Sequence, residues 1–310
     1  MNITLKQLRY FIALAEVGNF GRAAEAMHVT QPALSVQIKE LEGQVGSQLV
    51  ERQPRGLVLT PAGHDLLRHA RQVMAEMQQL EQSARWQRGL GGKLTLGVIP
   101  TVAPYLLPEA LPLLRMSNVT LELGVREAQT DILLAALSQG RLDAAIVALP
   151  TGEDGLFEAP LFQDRFLLAG TDRMLTAVGD RLQPAGLNPD RLLLLDEGHC
   201  LADQALEVCA LKREQTRVDL GASSLATLCG LVAQGFGMTF LPELALASEQ
   251  AASPDLCLRR FQGAEPHRTI GLVRRRLSQD DGWFADLAAL LREAGQGLIE
   301  KARRALPPDA

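Results

Sequence analysis

Val29-Thr30-Gln31-Pro32-Ala33-Leu34-Ser35-Val36-Gln37-Ile38-Lys39-Glu40-Leu41-Glu42 opens on a hydroxyl, an amide and a proline, then turns apolar at Leu34, Ile38 and Leu41. That spacing is helical. Thr30 is placed to cap the helix, and Gly46, just past Val45, to end it. Upstream, Leu5, Leu8, Phe11, Ile12 and Ala15 predict a first helix that stops at Gly18. Asn19 can cap a short second helix carrying Ala23, Ala24 and Met27. Downstream, Leu49 to Thr60 reads as two short strands around a basic Pro/Gly turn. Three helices and a wing of this spacing present the start of the third helix outward, with Gln31, Pro32, Ala33, Ser35 and Lys39 exposed. Glutamine reads adenine edges and alanine touches a thymine methyl, so this face suits a DNA major groove. Arg52 and Arg55 are placed for phosphates or a minor groove. Six basic against five acidic residues over 1–60 make the module only weakly basic, and a plain three-helix packing unit is the competing reading.

The rest of the chain sets the context. Its 310 residues predict more than one domain. Hydrophobic content of 47% with 22% charged is globular, and a net charge of -5 argues against non-specific polyanion binding by the whole chain. No secretory segment and no transmembrane helix is expected, so the chain reads as cytoplasmic, away from membranes. Four cysteines in such a chain do not form a disulfide scaffold. The histidines show no metal spacing, so neither metal nor cofactor is expected.

Thr60-Pro61 starts a helix that runs to about Arg88, with Leu66, Leu67, Ala70, Val73, Met74, Met77 and Leu80 on one stripe. A partner helix from a second copy covers such a stripe economically. Gly89 to Gly92 reads as a hinge. Beyond it strands and helices alternate, which argues an α/β domain with a largely parallel sheet. Leu192 to Leu195 is one expected strand, and Phe166 to Ala169 another.

Chemistry concentrates at Asp196-Glu197-Gly198-His199-Cys200-Leu201-Ala202-Asp203, with Cys209 further on. Glycine breaks the strand and a helix follows, so Cys200 falls near a helix N-terminus, where a thiolate is favoured. Nine helical residues span about 13 Å and rotate about 180°, whereas a disulfide needs Cα atoms within about 7 Å. Bonding Cys200 to Cys209 would then require rearrangement, as a redox switch does; two unrelated cysteines, one capping and one packing, is the plain alternative. Cys229 and Cys257 lie in apolar segments and read as packing residues.

Phe20-Gly21-Arg22-Ala23-Ala24-Glu25, the stretch Val29 to Glu42, Leu49-Val50-Glu51-Arg52 and Thr60-Pro61-Ala62-Gly63 resemble, in order and spacing, the LysR-type regulators. The resemblance implies a winged helix-turn-helix DNA-binding domain over 1–60, a linker/dimerisation helix and hinge over 61–91, and an effector domain over 92–310. It implies that the effector domain is two-lobed and periplasmic-binding-protein-like, lobe I covering about 92–163 and 267–310 and lobe II about 164–266. DNA contacts carry over to Gln31, Pro32, Ala33, Ser35 and Arg52, and further to Lys39 and Arg55.

Ile99 to Pro108, Glu127-Ala128-Gln129-Thr130, Gly198 to Ala205, Cys209 and Arg268 to Val273 are similar to the OxyR peroxide sensors within that family. This implies that hydrogen peroxide oxidises Cys200 to a sulfenic acid, which Cys209 resolves into a disulfide. It also implies that Thr101, Thr130, His199, Asp203 and Arg268 hold or polarise the peroxide. Ala202 departs from relatives that carry a basic residue there. Implied partners are promoter DNA, RNA polymerase and further copies of the chain as dimer or tetramer. A regulator of the same family answering a small metabolite, and a thiol peroxidase with a DNA-binding module, are the competing readings; the chain is otherwise expected not to be an enzyme.

Overall fold

The computed structural model describes residues 3–53, 56–83, 92–117, 121–179, 182–196, 198, 200–208, 222–263, 265–278 and 282–307. They divide into two units, taken here separately.

In the N-terminal unit, α1 (Leu5–Val17) begins at a capping box: Thr4 accepts from the Gln7 amide while the Gln7 side chain returns to the Thr4 N–H. Such a cap contributes about 1 kcal/mol. Asn19 caps α2 (Phe20–Ala26) through the Gly21 and Arg22 amides. Thr30 caps α3 (Gln31–Val45) through the Ala33 amide, and Gly46 closes it in the left-handed region. Phe11, Leu14, Leu34, Ile38, Leu41 and Leu49 form the shared core. The wing is β1 (Val50–Gln53) antiparallel to β2 (Gly56–Leu59). Glu42 fastens it to α3 by accepting from the Leu49 and Val50 amides at 2.8 and 3.3 Å. Thr60 Oγ1 donates to the Gln48 carbonyl and accepts from the Gly63 amide, opening α4 (Pro61–Ser83). On α4, Ala70 is buried and Leu66 and Leu67 pack on the core, while Val73 is 44% exposed. The hinge expected at 89–92 lies outside the described residues apart from Gly92.

The second unit starts with β3 (Gly92–Val98), α5 (Ala103–Ser117), β4 (Leu121–Glu127), α6 (Thr130–Ser138) and β5 (Ala144–Leu149). β3 lies between β4 and β5, parallel to both. The next strand, β6, is a single run from Leu156 to Gly170. After it come α7 (Asp172–Val178), α8 (Cys200–Val208), α9 (Leu225–Ala233), β7 (Thr239–Pro242), α10 (Leu246–Ala252), β8 (Cys257–Arg260), β9 (His267–Arg275) and α11 (Trp283–Ala305). β9 is antiparallel to β5 on one side and to β6 on the other. From Leu156 to Arg165, β6 pairs with β9; from Phe166 onward it pairs with β7 and β8, again antiparallel. One strand therefore serves both lobes of the effector domain.

Three expectations change. The sheet is mixed rather than largely parallel, because β6 and β9 run between the lobes as an antiparallel ribbon. The strand expected at Phe166 to Ala169 is the distal third of β6. The apolar run Leu192 to Leu195 makes only isolated parallel bridges, Leu192 to Met238 and Leu195 to Ala222. Its side chains are buried as a strand's would be, and residues 209–221, which lead up to Ala222, lie outside the described residues.

Candidate functional site

Two places gather the residues singled out above. The first is the outer face of α3. Gln31, Pro32, Ala33 and Lys39 are exposed and Ser35 is half-buried, while Leu34, Ile38 and Leu41 anchor the opposite face. Val36 is 54% exposed beside them, an apolar side chain facing outward. Gln37 is tied to Glu40 at 2.8 Å. Arg52 lies on β1 opposite Leu57; Arg55 is outside the described residues.

The second place is a small recess in the effector domain lined by Ile99, Pro100, Thr101, Gln129, Thr130, Gly198 and Cys200. Each wall has a structural reason. β3 ends at Val98, and Thr101 follows in the turn before α5. Thr130 is the first residue of α6, just after β4. Cys200 is the first residue of α8, a half-buried free thiol. Gly198 approaches it with φ +87, a conformation L side chains rarely adopt, and Gln129 packs so closely that a Cβ on Gly198 would stand 2.6 Å from its Oε1. Thr130 Oγ1 is buried with no hydrogen-bond partner among the described residues. A buried hydroxyl left without a partner is costly, and this one faces the same recess as Cys200. The recess is tight, with no room for a water-sized molecule between its walls.

Arg268 stands behind the recess. Its Nη1 donates to Thr101 Oγ1 at 2.8 Å and its Nη2 to the Thr101 carbonyl at 3.2 Å. The other edge of the guanidinium meets Asp164, Nε to Oδ2 at 3.0 Å and Nη2 to Oδ2 at 2.9 Å. Both side chains are fully buried, and the Phe166 ring lies 5.9 Å from the guanidinium carbon. Burial pushes the Asp164 carboxyl up to about 6, against the charge and hydrogen bonds of Arg268 and the Leu244 amide, which pull it down. It remains ionised near neutral pH and matched to Arg268.

Of the other expected pocket residues, Asp203 is exposed on the first turn of α8 and does not line the recess. His199 and Cys209 lie outside the described residues. One helical turn beyond Cys200, Gln204 Oε1 is buried with no partner among the described residues, an acceptor the sequence reading passed over. Cys229 is fully buried, and burial together with Glu249 raises its pKa far above the ordinary thiol range. Glu249 accepts from the Tyr105 hydroxyl at 2.6 Å, joining α10 to α5. Cys257 is half-buried on β8, opposite Gly170. Among the described residues, no group of three or more His, Cys, Asp or Glu side chains is arranged to hold a metal ion. No described helix is long and apolar enough to cross a membrane.

Comparison with known proteins matches both units. Residues 5–64 match the bacterial regulatory helix-turn-helix protein, lysR family, and residues 87–296 match the LysR substrate binding domain. The hydrogen peroxide-inducible genes activator of Dickeya chrysanthemi is 40% identical over 300 residues, covering 96% of this chain and 98% of its own. The DNA-binding transcriptional dual regulator OxyR of Escherichia coli K12 is 39% identical over the same shares. Among solved structures, full-length OxyR of Pseudomonas aeruginosa with a cysteine-to-aspartate substitution superposes with a TM-score of 0.71 at 35% identity, covering 94% of this chain and 98% of its own. A cysteine-to-serine mutant of Corynebacterium glutamicum OxyR, bound to H2O2, superposes with a TM-score of 0.67 at 35% identity, covering 98% and 96%. A winged helix-turn-helix, a two-lobed effector domain and relatives of this extent on both place the chain in the LysR family of transcriptional regulators, among the hydrogen peroxide-inducible genes activators.

Proposed function

We propose that this chain is a DNA-binding transcriptional regulator that senses hydrogen peroxide through Cys200, with Cys209 as the resolving thiol. The observation that carries the reading is the recess at the start of α8. It sets a free thiol beside a buried hydroxyl without a partner, on Thr130, and a second hydroxyl, on Thr101, that accepts a charged hydrogen bond. The Cys200 thiolate attacks one peroxide oxygen, the O–O bond breaks, and hydroxide leaves and takes a proton to become water. The product is a Cys200 sulfenic acid. The Cys209 thiol then attacks the Cys200 sulfur, a second water leaves, and a disulfide forms. Peroxide itself is reduced, so no further oxidant is required. Thr101 and Thr130 steady the peroxide oxygens. His199 and Asp203 flank Cys200 in the sequence and help hold or polarise the peroxide.

α3 reads the major groove through Gln31, Pro32, Ala33, Ser35 and Lys39, while Arg52 and Arg55 hold the wing on the backbone. The half-exposed stripe of α4 supports self-association as a dimer or tetramer. Disulfide formation deforms the start of α8, re-spaces the DNA-binding domains, and changes promoter contacts and recruitment of RNA polymerase in the cytoplasm. The domains divide at 1–60, 61–91 and 92–310.

Mass spectrometry of thiols after micromolar peroxide tests the reading. The expected result is a Cys200–Cys209 disulfide with a changed DNA footprint, lost in Cys200→Ser. Free thiols after peroxide, or a Cys200→Ser chain that still switches, would instead favour a metabolite-responsive regulator. Many peroxides consumed per chain between reductions would make it an enzyme rather than a sensor.

A further inference from the structure

We propose that Asp164 is a positioning residue for peroxide reduction: it holds the Arg268 guanidinium so that Thr101 turns its hydroxyl proton toward the peroxide at Cys200. The inference rests on the reading of Cys200 as the sensing thiol and adds a residue that lies behind the recess rather than in it.

Asp164 and Arg268 are direct cross-strand partners in the β6–β9 ribbon. Asp164 is itself fixed from a third direction, because its Oδ1 accepts from the Leu244 amide at 3.1 Å. The carboxylate therefore cannot swing, and the arginine fork that it holds at Nε and Nη2 cannot swing either. The far edge of that fork is aimed at Thr101, on both its hydroxyl and its carbonyl. A threonine hydroxyl has one proton and two lone pairs. With a charged donor on one lone pair, the proton points away from Arg268. Thr101 also lines the recess with Cys200. The hydrogen bond that Thr101 donates to the leaving oxygen of a peroxide is thus oriented by a carboxylate two residues back in the chain of contacts.

The pair has a second effect. An unneutralised arginine at this place would draw anions into the recess. Paired with Asp164, it offers Thr101 a strong donor with no net charge behind it, which suits an uncharged peroxide over a carboxylate or phosphate. Glu243 is the other charged group near Asp164. It is committed to Arg260 and Arg303 at 2.6 and 3.1 Å, so it does not compete for Arg268.

The test compares two reactions of the same thiol in the full-length reduced chain. Hydrogen peroxide needs the hydrogen bond from Thr101 on its leaving oxygen; alkylation by iodoacetamide does not. Asp164→Asn is expected to slow peroxide oxidation of Cys200 at least tenfold while alkylation changes less than twofold. Thr101→Val is expected to show the same split. The double variant Asp164→Asn with Thr101→Val is expected to be no slower with peroxide than Thr101→Val alone, because one acts through the other. If Asp164→Asn does not fold, Asp164→Asn with Arg268→Gln replaces the ion pair by an amide pair and must show the same split. An unchanged ratio of peroxide to iodoacetamide rates, equal slowing of both reactions, or additive losses in the double variant would overturn the proposal. The native chain is the control for the parent reading: if its Cys200 ignores peroxide, that reading fails, whereas a reactive native chain with an equally reactive Asp164→Asn variant removes only the role of Asp164.

Discussion

Gly198→Ala places one methyl group against the Gln129 side chain at the wall of the recess. A Cβ there stands 2.6 Å from Gln129 Oε1, 2.7 Å from its Cδ and 2.8 Å from its Nε2, on a backbone with φ +87. The positive φ costs an L residue about 1 kcal/mol, and pushing the Gln129 amide off its rotamer costs about 1 kcal/mol more. Together these destabilise the reduced state by about 2 kcal/mol, which lowers the reduced Tm by about 4–8 °C for a domain of this size. The proposed disulfide remakes the turn, so the oxidised state escapes most of this cost. Raising the reduced state alone makes reduction less favourable and moves the Cys200–Cys209 potential more negative by about 40 mV. Equilibration against defined glutathione buffers, with alkylation and mass spectrometry as readout, measures the shift. A lower reduced Tm with an unchanged or more positive potential would refute the argument, because the turn would then be equally strained in both states.

Other perturbations act elsewhere. The Asp164 carboxyl rises from an ordinary 3.8 to about 6, so the folded chain binds that proton more tightly than the unfolded one, and the associated stability is fully present below 3.8 and lost as the pH rises through about 6. That difference corresponds to about 3 kcal/mol; urea midpoints at about pH 4 and pH 7 should show the native chain losing roughly that much relative to Asp164→Asn, and a gap that does not change would contradict it. Glu243→Gln strips the charge that Arg260 and Arg303 share inside the fold and is expected to destabilise by about 3 kcal/mol, read as a lower midpoint with unchanged DNA affinity per folded chain. Lys39→Ala should reduce the slope of log affinity against log salt by about 0.9 without changing sequence preference. Gln31→Ala should cost about 1–3 kcal/mol on the preferred site and relax discrimination at one base; uniform weakening over all sequences would place Gln31 on the backbone instead.

Local chemistry made the N-terminal unit legible. Thr30, Asn19, Gly46 and the apolar spacing of α3 act within a few residues of one another, and the structure uses each as the sequence suggests. The start of α8 at Cys200 was legible for the same reason, a glycine followed by a helical pattern. The first ten residues of β6 were not. Leu156 to Arg165 mixes Glu158, Pro160, Gln163 and Asp164 into what becomes an interior strand, and its register shifts between Pro160 and Phe162. A charged residue in a sequence suggests solvent; Asp164 is buried because its partner, Arg268, lies 104 residues away. Arg260 shows the same effect: burial alone would lower its pKa, and Glu265 with Glu243 reverses this and raises it. Such pairs are fixed by topology, which no short window contains. The recess was legible only in part: Thr101, Thr130 and Cys200 come together and Arg268 bonds Thr101, but Asp164, which holds Arg268, sits on the lobe crossing and carries no local signature.

That crossing has a mechanical consequence. Because β6 passes without a break from one sheet to the other, and Phe166 donates its amide to the Pro266 carbonyl at the changeover, the two lobes share a continuous beam rather than a loose tether. A swing of one lobe about a point would have to rupture ladder bonds on both sides of Asp164. Torsion along the ribbon does not, since a β-ribbon changes its twist by small increments in every residue. Pinned in this way, the amides from Asp164 to Phe166 are expected to be among the slowest in the domain to exchange.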